Sequence, residues 1–257
     1  MKYSPVLALL FGTSAFFSVK AADFNSLRSD FYKNCRTNPA EAVKLTQEMR
    51  KLPKLTKHQM FQTYSMELSA AYNMKDPAPC VETAKKVLAM KDAPADLKTH
   101  AYYLGGIKLG AMQKNEEYLQ YMIEGEKIAP TAASKFNLMV FHIDALRKLK
   151  RKDDAIKQAE KTIAFAKENK KRDWELNVHY TVSNVYPQNE RIRIFEELLK
   201  ASDVFEYPYG QHIARVLLNV GYKNDPVKAK ALCERVLKEA KRVIYPDFKR
   251  KLDQLSK

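Results

Sequence analysis

The residues best suited to chemistry are scattered along this chain rather than gathered. Histidines stand at 58, 100, 142, 179 and 212, none with a second histidine four residues away, and no His-Glu-x-x-His or Cys-x-x-Cys motif is present. The spacing that puts two metal ligands on one helix face is therefore missing. A serine nucleophile needs a base and a group that orients the base, but no Gly-x-Ser-x-Gly elbow occurs, and Gly105-Gly106 falls inside a helical pattern rather than a phosphate-cradling loop. Glycoside hydrolysis would require two carboxylates facing each other across a cleft. The adjacent pairs Glu116-Glu117 and Glu196-Glu197 are accounted for as helix-surface charge. The expectation is a chain with no catalytic residue, no cofactor and no metal, one that binds rather than reacts.

Two residue classes point to binding. Tyrosine is abundant (14), and Tyr64, Tyr72, Tyr102, Tyr103, Tyr180, Tyr186, Tyr209 and Tyr222 all fall in the first helix of a helix pair. Tyrosine combines a large apolar area with a hydrogen-bonding tip and few rotors, which suits a contact surface, although packing between helices uses it equally well. The second class is basic. Arg147, Lys148, Lys150, Arg151 and Lys152 form one cluster and Lys170-Lys171-Arg172 another, on opposite edges of the inferred array. The first could rest on an anionic polymer or lipid surface. Simple solvation, with cations favoured at a helix C-terminus by its dipole, explains it without a ligand.

The elements that must position these residues announce themselves by a repeat. Asn38, Asp76, Asn115, Asp153, Asn189 and Asp225 recur at intervals of 38, 39, 38, 36 and 36, each followed by Pro, Glu or Asp and then by an amphipathic run. An Asx side chain at a helix N-cap satisfies an orphan backbone N–H, and Pro or an acid suits the first turn. The repeat therefore marks the start of a second helix six times. Hairpins are expected over about 23–52, 56–90, 96–129, 131–169, 173–199 and 208–243, with a short last helix after Tyr245-Pro246-Asp247 carrying Phe248, Leu252 and Leu255 on one face. The second helices share an apolar stripe at helical spacing, for example Ile156, Ala159 and Ile163, which can bury only against a neighbouring hairpin. Scarce Gly (7) and the absence of long strand-type alternation agree. The fold class is all-α, in one domain over 22–257.

The first residues supply an address. Lys2 precedes an apolar run from Pro5 to Val19, too short to span a bilayer comfortably, and Val19-Lys20-Ala21 places small residues where signal peptidase requires them. A signal peptide cleaved after Ala21 is expected, with no lipidation cysteine, no later transmembrane segment and export to the periplasm or medium of a bacterium. The formal charge of +15 leaves export-compatible anionic partners open and makes nucleic acid an unsuitable one. In an oxidising compartment three cysteines suggest one pair and one free thiol. Cys35 lies three residues before Asn38 and Cys80 four after Asp76, on the same edge of the array one repeat apart. The expected disulfide is Cys35–Cys80, with Cys233 a buried thiol.

The array resembles a tetratricopeptide-repeat solenoid. The match is clearest from Tyr102 to Pro130, with Gly106 in mid-helix, Asn115 at the turn and Ile128-Ala129-Pro130 closing the unit; Asp153-Asp154-Ala155-Ile156 and Pro226-Val227-Lys228-Ala229 are similar to the family's turn segment. The interval of 36–39 departs from the family's 34. The resemblance implies a right-handed α-solenoid of about six antiparallel hairpins with a C-terminal capping helix. It also implies first helices lining a concave groove that takes an unidentified protein, as a peptide or a helix. In that register the groove residues are Tyr72, Tyr186 and Tyr222, with Gln62, His142 and Gln211 as polar neighbours.

Overall fold

The computed structural model describes residues 23–256, so the expected signal peptide and cleavage site lie outside the described residues. Thirteen α-helices and no strand occur among those residues. They are α1 (Phe24–Asn34), α2 (Pro39–Arg50), α3 (Lys57–Asn73), α4 (Ala78–Ala89), α5 (Ala95–Ala111), α6 (Asn115–Ile128) and α7 (Ala132–Lys148). After them come α8 (Lys152–Glu168), α9 (Arg172–Val182), α10 (Gln188–Leu198), α11 (Pro208–Val216), α12 (Pro226–Glu239) and α13 (Asp247–Leu255). Short 3₁₀ turns at 183–185 and 204–206 and a π turn at 217–221 interrupt the last third.

The second helices begin at 39, 78, 115, 152, 188 and 226, within two residues of each Asn or Asp of the repeat. The means of starting them differs along the chain. Asn38 and Asp225 are N-caps, accepting from the Glu41 and Lys228 N–H groups at 3.4 and 2.9 Å. Asp76 instead accepts from the Ala78 N–H in an Asx turn. In the middle hairpins the chain leaves the first helix through a left-handed residue, Gln113 or Lys150. The Lys114 and Arg151 N–H groups then reach back to the Leu109 and Leu146 carbonyls. This Schellman closure makes Lys114 and Arg151 the N-caps and pushes Asn115 and Asp153 into the helix, where neither caps. First helices have caps of their own: Thr56 with Gln59 and Thr131 with Ser134 form capping boxes.

A lysine in the left-handed region carries a strain that glycine avoids. Lys150 has φ 60° and is exposed. Lys150→Gly is therefore expected to raise stability by about 0.5–1 kcal/mol and the melting temperature by roughly 2 °C. Urea denaturation checks this, and an unchanged or lower midpoint contradicts it.

Each helix from α1 to α8 packs on its successor, as do α11 on α12 and α12 on α13. The odd-numbered helices from α3 to α11 also pack each on the next odd-numbered one, and so form a contiguous layer. The core is a string of apolar clusters along the chain, linked by half-buried residues that touch two of them, such as Val43, Tyr103 and Tyr121. Three glycines of α5 permit close approach of its neighbours. A Cβ on Gly105 would stand 2.6 Å from Ala84 Cβ, and one on Gly110 would stand 2.8 Å from the Tyr118 ring. At the end of the chain Phe248, Leu252 and Leu255 of α13 pack on the cluster that contains Leu232, Cys233 and Val236.

The expected Cys35–Cys80 disulfide is not formed: all three cysteines are free thiols. Cys35 closes α1, half-buried, where the Asn73 side chain donates to its carbonyl at 2.9 Å. Cys80 lies one turn into α4 and points into the core toward the Leu68 carbonyl, 4.0 Å away. The two thiols belong to different apolar clusters. Burial pushes Cys80 and Cys233 each up to about 11.

Candidate functional site

Along one side of the odd-numbered helices runs a trough built from one residue stripe per helix. On α3 the stripe includes Gln62, Ser65 and Ser69; on α5 it is Asp96, Thr99, His100 and Tyr103. On α7 it comprises Ser134, Asn137, Phe141 and Asp144, and on α9 Asn177, Tyr180 and Thr181. Steps of three and four residues keep each stripe on one helix face. Four concavities follow one another along these stripes: about 640 Å³ between α1 and α3, 420 Å³ between α3 and α5, 220 Å³ between α5 and α7, and 510 Å³ from α5 to α11. Neighbouring concavities share walls. Gln62 and Ser65 line the first two, Asp96 and His100 the second and third, Tyr103 and Asn137 the third and fourth. They form a line of adjoining concavities along the first helices.

The stretch from α5 to α11 is rich in aromatics and amides. Tyr103, Tyr180 and Tyr209 stand with Asn137, Asn177 and Asn184, and the one charged pair, Asp144 and Arg147, is closed on itself at 2.6 Å. Tyr103 and Phe141 meet edge to face at 5.2 Å. Tyr180, Tyr209, His212 and Tyr245 form a ring cluster with centroids 5.0–6.1 Å apart. The Tyr209 N–H donates to Asp173 Oδ1 at 3.3 Å, which fixes the start of α11 beside α9. Burial holds Tyr103 and Tyr209 above the ordinary phenol value, so these hydroxyls are neutral donors at physiological pH. A carboxamide offers both donor and acceptor, which is what bracketing a peptide bond requires.

Of the residues expected to face a groove, Gln62 lies in the trough. Three of the eight first-helix tyrosines do line it, but they are Tyr103, Tyr180 and Tyr209. Tyr72, Tyr186 and Tyr222 pack in the apolar clusters, each with a lysine ammonium over its ring: Lys108 at 4.8 Å, Lys152 at 5.5 Å and Lys228 at 5.4 Å. Tyr222 also donates to Glu196 Oε1 at 2.9 Å, and burial with this hydrogen bond pushes it up to about 12. His142 points away from the trough, toward α6 and α8, with Nδ1 2.7 Å from the nearly buried Glu126 carboxylate. Gln211 is 2% exposed and works as a brace. It donates to the Phe205 and Arg242 carbonyls and accepts from the Ile244 N–H, satisfying the irregular segments before α11 and after α12.

Most members of the basic cluster have contacts within the molecule. Arg147 pairs with Asp144, Arg151 with Asp154, Lys148 donates to the Gly110 carbonyl, and Lys152 sits over Tyr186. Lys150 is the member with no such contact among the described residues.

One arrangement resembles catalytic machinery. Ser65 Oγ lies 3.2 Å from His100 Nδ1, with Asp96 one helical turn before the histidine. The Asp96 carboxylate accepts the Leu97 N–H rather than a proton of the ring. Ser65 is in the middle of α3, whose N–H groups are committed to the helix, so no oxyanion donors face it. Burial also lowers the basicity of His100. The arrangement holds a half-buried histidine in place and offers no acyl-transfer site. Among the described residues no group of three or more His, Cys, Asp or Glu side chains could hold a metal ion, and no helix is long and apolar enough to cross a membrane. No protein-family model matches the chain, and no curated protein matches it either.

Proposed function

We propose that this chain is a non-enzymatic protein-binding scaffold of the bacterial cell envelope: an exported, tetratricopeptide-like, right-handed solenoid of six hairpins whose trough takes a peptide or helix of a partner. The solenoid reading is supported by second helices that restart every 36–39 residues and by the packing of each odd-numbered helix on the next. The observation that carries the functional reading is the trough itself. It runs along first helices and is lined between α5 and α11 by Tyr103, Tyr180, Tyr209 and three asparagines, which are neutral amphipathic anchors with little rotamer entropy to lose. Arg147, Lys148, Arg151 and Lys152 already have partners, which favours the groove over an anionic-surface role for the basic cluster.

The test is capture of partners from an envelope extract on the immobilised chain, at low and high salt, beside the double variant Tyr180→Ala/Tyr209→Ala. A discrete protein retained at high salt and released about a hundredfold more readily by the variant is the expected result. Capture only of anionic polymer or lipid, lost as salt rises and indifferent to the two tyrosines, would replace the groove with the basic surface.

A further inference from the structure

The middle of the trough departs from the basic balance of the chain as a whole. The chain carries 45 Lys and Arg against 30 Asp and Glu. Yet the two concavities on either side of α5 contain no Lys or Arg, and Asp96, exposed in the first turn of α5, is their one carboxylate. No basic side chain pairs with Asp96 among the described residues. The concavity between α5 and α7 measures about 220 Å³, room for one long side chain, and Tyr103 forms part of its wall.

A second observation comes from Thr99, which lines the same concavity. Buried threonines here are otherwise satisfied: Thr46, Thr63 and Thr162 donate to carbonyls within their own helices, and Thr83 donates to Glu67. Thr99 is 4% exposed, and its hydroxyl has no partner. An orphaned buried hydroxyl is a cost that a bound donor would remove.

We propose that this concavity is a specificity pocket for a lysine or arginine side chain of the peptide held in the trough, its cation received by Asp96 and its stem laid against Tyr103. The inference rests on the peptide-binding reading above. Complementarity is its basis: a lone carboxylate, a hydroxyl able to accept and an aromatic face suit a desolvated cation on a long apolar stem. The net charge of +15 works against basic peptides in general, so a preference for them would report this pocket and not the overall field.

The experiment uses N-acetylated, C-amidated peptide libraries, random except at a fixed central position carrying Lys, Arg, norleucine or Glu, retained on the immobilised full chain. The Lys and Arg libraries are expected to be retained about tenfold better than norleucine, which keeps the stem and lacks the charge. Asp96→Asn should erase that preference, and Thr99→Val should weaken it without lowering the melting temperature. Tyr180→Ala/Tyr209→Ala should reduce retention of every library alike. Equal retention of Lys and norleucine on the unmodified chain, or a preference that survives Asp96→Asn, overturns the pocket while leaving the trough standing. Retention that ignores the two tyrosines, or none at all, overturns the peptide-binding reading and the pocket with it. Displacement of the Lys library by submillimolar free lysine or putrescine would reassign the site to a small amine.

Discussion

Arg50→Met is expected to lower the unfolding free energy by about 3–5 kcal/mol, a fall of roughly 10 °C in melting temperature for a chain of this size. Arg50 ends α2, and its guanidinium pairs with the Glu67 carboxylate in the middle of α3, the two side chains 17% and 6% exposed. Glu67 also accepts from Thr83 of α4 at 3.0 Å and from Thr46 of α2 at 3.5 Å, so a single carboxylate ties three helices together across the first two hairpins. The guanidinium lies over the Tyr64 ring, 4.5 Å from its centroid. Methionine keeps the stem and removes the charge. The carboxylate then has only hydroxyl donors in a site that water does not reach, and the cost is its desolvation rather than the lost attraction. For that reason Arg50→Met/Glu67→Leu should recover most of the loss, a coupling that a double-mutant cycle measures in urea. A single-variant cost below about 1 kcal/mol would place the pair among surface ion pairs. Glu67 faces away from the stripe of Gln62, Ser65 and Ser69, so peptide capture should persist in any variant that still folds.

This buried pair was not legible in the sequence, and the reason is general. Arg50 and Glu67 are 17 residues apart on different helices, and nothing local marks either as internal. The elements were legible because helix starts are local events. A capping side chain, a proline in the first turn and an apolar stripe can be read within a dozen residues, and all six second helices begin within two residues of the repeated Asn or Asp. What shifted was the cap itself. Left-handed Gln113 and Lys150 are invisible without glycine to announce them, and they moved Asn115 and Asp153 inside their helices.

The trough was half legible. That first helices would line a groove is what the tetratricopeptide resemblance implies; which tyrosines face it depends on helix rotation. At 100° per residue, a small error in register exchanges Tyr103 for Tyr102, whose ring packs edge to face on Tyr121 at 5.4 Å. A signal was nonetheless present. Asp96, Thr99, His100 and Tyr103 form a polar stripe on α5, and Asn177, Tyr180, Thr181 and Asn184 form one along α9 and the turn after it. Such a stripe marks a face that neighbouring hairpins do not cover. Cys80 failed for the same rotational reason: its place near the edge was right, and its direction was inward.

Gly210→Ala should be the most damaging of the glycine substitutions, and it should damage the trough along with the fold. A Cβ at this position would lie 1.8 Å from the Val204 carbonyl oxygen and 2.8 Å from its carbonyl carbon, so the obstacle is backbone. At Gly106 the nearest atom is Met122 Cε at 2.3 Å, the far end of a flexible chain that can turn aside. At Gly105 it is Ala84 Cβ at 2.6 Å, which can move only with α4. The expected order of cost is therefore Gly210 above Gly105 above Gly106, with Gly210→Ala at about 3 kcal/mol or more. To relieve the clash α11 must withdraw from the 204–206 turn. Tyr209 precedes Gly210 and would be carried away from Asp173 and from Tyr180, whose ring centroid is now 6.1 Å from its own. Gln211 follows and would lose its hold on the Phe205 carbonyl, 2.8 Å from its amide nitrogen. Thermal melts followed by circular dichroism give the stability order, and peptide-library capture below the melting transition gives the effect on the trough. A variant with reduced stability and unimpaired capture would show that the trough does not depend on the placement of α11. Lost capture with helicity retained would tie recognition to the one turn in which two helical segments approach more closely than any side chain permits.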